Sequence, residues 1–178
     1  MPRILRALPF FERPTRVRLP DGSTVPVLAE QIVCWASVTL PEFRQLREPR
    51  RFPVSIDTGF NGDFFIPERY LREWAGLAPN DLALIGRAHF ESHVLALRSA
   101  TIWLHPNRPG ARDAFAEGPP YPLDMPASIM VWPSAVPGGR RLPLLGVHAI
   151  QRAGLRLVVD GRRRRVWLRT AWGFWPFG

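Results

Sequence analysis

The sequence predicts an all-β fold, a barrel with one or two short helices. Three observations support this prediction. The chain contains many short apolar runs, most of them are separated by turn residues, and few segments carry helical signals. With 178 residues and 46% hydrophobic residues, the chain is long enough to form one domain with a full core.

Residues 1–30 are predicted to form an N-terminal arm and a hairpin. Residues 1–14 show no regular pattern and are expected to be irregular. The runs 16–19 and 24–27 flank Pro20-Asp21-Gly22-Ser23, and this combination is typical of two strands joined by a turn.

Residues 31–170 are predicted to form the main domain. Strands are expected at 31–40, 53–57 and 63–66, where apolar residues dominate. Residues 67–77 are predicted to be a helix because proline stands at the start, acid in the first turn and glycine near the end.

The second half of the domain continues the strand pattern. Apolar runs at 82–85, 94–97 and 100–104 predict strands, with a turn near 90–93. Residues 105–126 are rich in Pro, Gly, Ala and Arg and are predicted to be a surface insertion.

The last third of the sequence is predicted to form a strand, a short helix and a terminal hairpin. The expected elements are a strand at 128–132, a glycine-rich turn at 138–141, an apolar run at 142–146, one or two helical turns at 147–153, and hairpin strands at 155–160 and 164–169. Residues 171–178 form a strongly aromatic tail.

Composition limits the classes of partner. The net charge is +9, but every basic residue is arginine and most are scattered, so nucleic-acid binding is not expected. No apolar run approaches the roughly 20 residues of a membrane helix, which predicts no membrane association. Cys34 is the only cysteine and lies in an apolar run, as expected for a buried side chain in a reducing, cytoplasmic setting.

Asp57-Thr58-Gly59 is the most informative motif. It ends the apolar run 52–56, and a second apolar run ending in glycine, Leu144-Leu145-Gly146, follows much later. A carboxylate delivered to a loop by a buried strand is costly to desolvate, so it usually has a function.

The ordered pair of motifs resembles the single-domain, retropepsin-like aspartic proteases, including small bacterial ones. The resemblance is carried by residues 52–67, by 144–146 and by 154–160. It implies a β-rich protomer that is one half of a two-fold dimer, peptide-bond hydrolysis, a polypeptide substrate, and no metal or other cofactor.

Such chemistry needs two carboxylates that share one water. No other aspartate of this chain is followed by Thr-Gly or Ser-Gly. The second carboxylate is therefore expected from another copy of the chain, across a two-fold axis beside Asp57.

The resemblance assigns roles to individual residues. Asp57 is expected to be catalytic, with Thr58 and Gly59 as its supports. Phe60 is expected to line the substrate site, and a hairpin near residues 88–94 would close over it as a flap, which adds Phe90 and Glu91 as substrate-binding residues.

Two alternatives stay open at this level. The flap tip lacks glycine and Val147-His148 departs from the family pattern, which fits a non-catalytic module that binds proteins. The second alternative is an autoinhibited protease whose aromatic tail fills its own groove. His89 and His93 do not follow the zinc-protease order, so exposed hairpin histidines are preferred to a metal site.

Overall fold

The computed structural model describes residues 3–10, 13–19, 21–43, 50–123, 127–136 and 142–170. The aromatic tail at 171–178 and the predicted turn at 138–141 lie outside the described residues.

Strands dominate the described chain, which confirms the all-β prediction. The strands are β1 (Arg3–Pro9), β2 (Thr15–Arg18), β3 (Thr24–Val27), β4 (Ile32–Thr39), β5 (Phe52–Asp57), β6 (Phe64–Pro67), β7 (Leu84–Phe90), β8 (His93–His105), β9 (Tyr121–Pro122), β10 (Ala127–Trp132), β11 (Leu144–Gly146), β12 (Leu155–Asp160) and β13 (Arg165–Thr170).

The helices are short. They are α1 (Glu68–Tyr70), which continues as a wide π-helical turn over Leu71–Ala75, a 3-10 turn over Pro79–Asp81, and α2 (Val147–Arg152). The first helix ends at Gly76, whose φ of 73° is left-handed, as the glycine in the sequence predicts. None of the described helices is long and apolar enough to cross a bilayer.

Six strands form a closed barrel. Their order is β10-β6-β11-β5-β4-β8, and a further pairing between β10 and β8 closes the ring. The long strand β8 makes closure possible because residues 96–100 pair with β10 and residues 101–105 pair with β4. Ring closure leaves no free edge among these six described strands, which protects them from pairing with other chains.

The barrel encloses the main hydrophobic core. Its largest fully buried side chains include Phe52, Phe64, Ile66, Ile102 and Leu104. β5 and β6 are buried along almost their whole length, so these strands read as continuous apolar runs rather than alternating ones. Burial of this kind contributes about 1.5–3 kcal/mol per large side chain.

A separate three-stranded sheet has the order β1-β13-β12. The predicted terminal hairpin is confirmed as β12 and β13. The N-terminal arm is not irregular, because residues 3–9 form β1 and pair with β13. Two register shifts and a φ of 45° at Ala7 interrupt β1, which explains why its sequence lacks strand alternation.

The segment predicted as a surface insertion contains β9 and several buried side chains. Asn107 is 2% exposed. Its Oδ1 accepts the Arg6 N–H at 2.7 Å, and its Nδ2 donates to the carbonyl oxygens of Arg6, Arg108 and Ala111. This amide therefore ties the segment to β1.

A buried polar pair joins the neighbouring strands β4 and β8. His105 is 3% exposed, and its Nε2 lies 2.7 Å from the Ser37 hydroxyl. Ser37 donates to the Arg50 carbonyl oxygen, so the histidine nitrogen donates to Ser37. Burial, and secondarily the charge of Arg51, lowers the pKa of His105 to about 4.

His105 is expected to make the fold acid-sensitive. Because the pKa of His105 is about 4 in the folded state and about 6.5 in an unfolded chain, the unfolded state binds its proton first as the pH falls. Stability should therefore decrease from about pH 6.5 down to pH 4, by about 3 kcal/mol in total.

Urea unfolding at pH 7 and pH 4.5 checks this prediction. The variant His105→Gln should lose clearly less stability between the two pH values than the wild type. His89→Gln, at an exposed position on β7, is the matched control and should behave as the wild type. Equal losses in all three proteins would contradict the prediction.

Candidate active site

Asp57 lies at the end of β5, where the strand leaves the barrel. The residue is half-buried. Its Oδ1 accepts the Gly59 N–H at 2.9 Å, and its carbonyl oxygen accepts the Phe60 N–H at 3.2 Å. The loop therefore turns tightly around the carboxyl group and holds one of its oxygens in place.

β11 holds this loop against the barrel. β11 lies between β5, to which it is parallel, and β6, to which it is antiparallel, and Gly146 is in register with Asp57. The Gly146 N–H donates to the Asp63 carbonyl oxygen at 3.0 Å, and the Val147 N–H donates to the Phe60 carbonyl oxygen at 3.3 Å.

At Gly146 the backbone of β11 lies very close to the backbone of the loop after β5. A methyl group placed on it would lie 2.7 Å from the Phe60 carbonyl oxygen and nearer still to that of Gly62. A side chain at this position has no room, because backbone atoms cannot move aside as a flexible side chain can. The apolar run 144–146 ends in this glycine, and the close contact explains why no larger residue fits there.

A cavity of about 630 Å³ opens beside Asp57. Of the residues predicted for the site, Asp57, Gly59, Phe60, Phe90 and Glu91 line it, whereas Thr58 is exposed and does not. The other lining residues are Asn61, Gly62, Asp63, Ala88, His89, Leu97, Ser128, Met130, Leu144, His148 and Arg152. The lining is thus mixed, and it includes Asp63, Ser128 and Arg152, which contact one another and are here called the polar wall.

The hairpin of β7 and β8 covers the cavity at the position predicted for a flap. Glu91 and Ser92 form its turn, and Glu91 has a φ of 53°. The Phe90 ring contacts those of Phe60, Phe65 and Trp132 at centroid distances of 5.7, 5.0 and 6.2 Å. These four rings, here called the aromatic cluster, pack the hairpin onto the barrel.

Sequence reasoning did not identify Asp63, the buried carboxylate of the polar wall. Its side chain is 2% exposed, and its Oδ2 accepts hydrogen bonds from Arg152 Nη1 at 2.8 Å and from the Ser128 hydroxyl and N–H at 2.8 and 3.1 Å. Its position at the start of a buried strand, directly after Asn61-Gly62, was the available signal.

Only Oδ2 of Asp63 is engaged by Arg152 and Ser128, whereas Oδ1 is buried and has no hydrogen-bond partner among the described residues. His148, which departs from the family pattern, is exposed at the cavity rim. Among the described residues no group of three or more His, Cys, Asp or Glu side chains is arranged to hold a metal ion.

Comparison with known proteins adds one solved structure. The chain is similar to a retropepsin-like aspartic protease from Rickettsia conorii, with 14% identity over 89% of this chain and 92% of that chain and a TM-score of 0.43. At this identity the likeness concerns the fold alone. No family model and no curated protein matches the sequence.

Gly146→Ala is predicted to destabilise the protein. The added methyl would collide with two carbonyl oxygens, and overpacking of this kind costs about 1–3 kcal/mol. The matched control is Gly161→Ala, because a methyl group added there would meet no atom within 4 Å beyond its chain neighbours. Thermal unfolding should show a clear loss for the first variant and little change for the second; similar values would contradict the crowding at Gly146.

Phe90→Ala is predicted to loosen the hairpin. Each aromatic contact contributes about 0.5–1.5 kcal/mol beyond burial, so loss of three should raise amide hydrogen exchange in β7 at least about fivefold. Val94→Ala, at a 56% exposed position on the same hairpin, is the control. Equal exchange in both variants would show that the cluster does not hold the hairpin.

Proposed function

We propose that this chain is an aspartic endopeptidase in which Asp57 supplies half of a catalytic dyad and a second copy supplies the other half. The observation that carries the proposal is the placement of Asp57. Its carboxyl group ends a buried strand, is held by the Gly59 N–H, and lines a cavity large enough for part of an extended peptide.

The chemistry follows from two carboxylates placed side by side. At about 3 Å and an effective dielectric of about 20, two negative charges repel by about 5 kcal/mol. The pair therefore keeps one proton over a broad pH range. The ionised oxygen takes a proton from water, and the water oxygen attacks the peptide carbonyl carbon while the protonated carboxyl group donates to the carbonyl oxygen.

The mixed apolar and polar lining of the cavity suits a polypeptide in strand conformation. Successive side chains of such a substrate point to opposite sides. Some of these side chains would contact Phe60, Phe90 and Met130, and others would contact the polar wall at Arg152. Phe60, Phe90 and Glu91 are proposed to contact substrate.

A non-catalytic binding module is the second candidate. The packed aromatic cluster favours it. The Phe90 ring already contacts the rings of Phe60 and Phe65, so the hairpin is held in place without a substrate. Such a protein would bind peptides with the same cavity without cleaving them.

Asp57→Asn tests the proposal. The amide preserves the shape and the oxygen that accepts the Gly59 N–H but cannot act as an acid or a base, so cleavage should fall by about 10²–10⁴-fold. Denatured, fluorescently labelled casein at pH 4 to 7 is the substrate, and sensitivity to pepstatin is the second measurement.

Asp113→Asn, at an exposed position outside the set of residues lining the cavity, is the control and should keep wild-type activity. Equal activity of the Asp57 variant and the wild type would reject the mechanism. Peptide binding without cleavage by the wild type at every pH would favour the binding module.

A further inference from the structure

A second cavity lies on the three-stranded sheet and has a volume of about 240 Å³. It is lined by Arg3, Leu5, Val158, Trp167 and Arg169, and none of these residues lines the cavity beside Asp57. Two guanidinium groups, an indole ring and aliphatic side chains therefore surround one small space. This combination suits an anion that also carries a flat apolar group.

The fold gathers three arginines into a row on this sheet. Arg3 lies directly opposite Arg169, and Arg169 lies directly opposite Arg156. Residues that face each other across neighbouring strands share one face of a sheet, and two strand spacings give the row a length of about 10 Å. The three positions are far apart in the sequence, so a local pattern of basic residues did not indicate this arginine row.

The arginine row is not neutralised within the described part of the chain. None of its three side chains forms an ion pair or a hydrogen bond with a described residue. Asp160, on the same face, lies opposite Arg165 and is ion-paired with Arg163 at 3.9 Å, so its charge is used at the other end of the sheet. Like charges opposite each other are destabilising, and bound negative charge would stabilise the row.

Trp167 places a flat apolar surface beside the arginine row. It stands two residues before Arg169 on β13, so the two side chains share a face and lie about 7 Å apart along the strand. The Trp167 side chain is half-buried, and its ring contacts no aromatic or cationic side chain among the described residues. Val158 lies directly opposite it and lines the same cavity.

These groups define the chemistry of a ligand. Guanidinium groups bind phosphate oxygens in pairs, and an indole ring stacks with a nucleic-acid base. Three adjacent positive charges match the several charges of a di- or triphosphate better than the single charge of a carboxylate. Single-stranded nucleic acids bind where successive bases find successive aromatic rings, whereas β1, β12 and β13 contain one aromatic residue, Trp167. A single nucleotide therefore fits better than a polymer.

We propose that this face of the β1-β13-β12 sheet binds a nucleoside di- or triphosphate, with the phosphates on the arginine row and the base against Trp167. The sugar of the ligand spans the distance along β13 from the ring to the row. The inference goes beyond the proposed function, because the second cavity shares no lining residue with the cavity beside Asp57.

Calorimetric titration of the full chain with three probes tests whether charge and ring are both recognised. The probes are ATP, inorganic tripolyphosphate and adenosine, in metal-free buffer at low salt, because salt screens exposed charges. ATP should bind about tenfold or more tightly than either of the other two, since only ATP joins the phosphates to a stacking base.

Two variants should separate the two parts of the site. Trp167→Leu should weaken ATP binding by about tenfold, from lost stacking, and leave tripolyphosphate binding unchanged. Arg169→Gln should weaken the binding of both by about tenfold or more, because a charge-assisted contact is lost. Arg156→Gln, at an exposed position, should weaken both in the same direction and does not depend on packing. Arg18→Gln removes the same charge at an exposed position on β2 and is the control, which should bind as the wild type does.

Several outcomes would overturn the inference. They are no binding of ATP at about 1 mM, equal affinity for ATP and tripolyphosphate, or equal losses in the Arg18 and Arg169 variants. Tighter binding of a short oligothymidylate or of polyglutamate than of ATP, unchanged in Trp167→Leu, would show a general polyanion surface instead.

The Asp57→Asn variant separates this inference from the proposed function. Asp57 lies on the barrel and does not line the second cavity, so the variant should bind ATP as the wild type does even if it cleaves no peptide. A wild type that binds ATP but cleaves no peptide would reject the protease alone. Peptide cleavage by a wild type that binds no ATP would overturn the nucleotide site alone.

Discussion

At Gly146 the backbone of β11 passes so close to the loop after β5 that no side chain fits between them. The same contact supplies two hydrogen bonds, from the Gly146 and Val147 N–H groups to carbonyl oxygens of the loop. Because β11 also pairs with both β5 and β6, this loop is fixed by the barrel rather than by its own sequence. The position of Asp57, and therefore the shape of the cavity beside it, depends on this contact between β11 and the loop.

Some buried polar groups lie away from the cavity, and others lie in its lining. His105 and Asn107 lie away from the cavity and use their hydrogen bonds to join β4, β8 and β1. Asp63 lies in the cavity wall and is held by Arg152 and Ser128. The Arg152 side chain of this ion pair is 48% exposed, so the pair is weak evidence for stability. Its effect is better described as fixing the polar wall of the cavity.

The candidate site combines a loop fixed against β11, a hairpin packed onto the barrel by the aromatic cluster, and the Asp57 carboxyl group beside the cavity. The proposed chemistry requires a second carboxylate, which we propose another copy of the chain supplies.

The sequence by itself determined the class of fold, the strand that ends at Asp57 and the terminal hairpin, because each is encoded locally by apolar runs with their turn residues. Tertiary structure alone decided that residues 3–9 form a strand, that Asp63 meets Arg152 across 89 positions, and that Phe90 packs into the aromatic cluster. These contacts join distant segments, and no local pattern encodes which of several arginines or phenylalanines the folded chain will bring together.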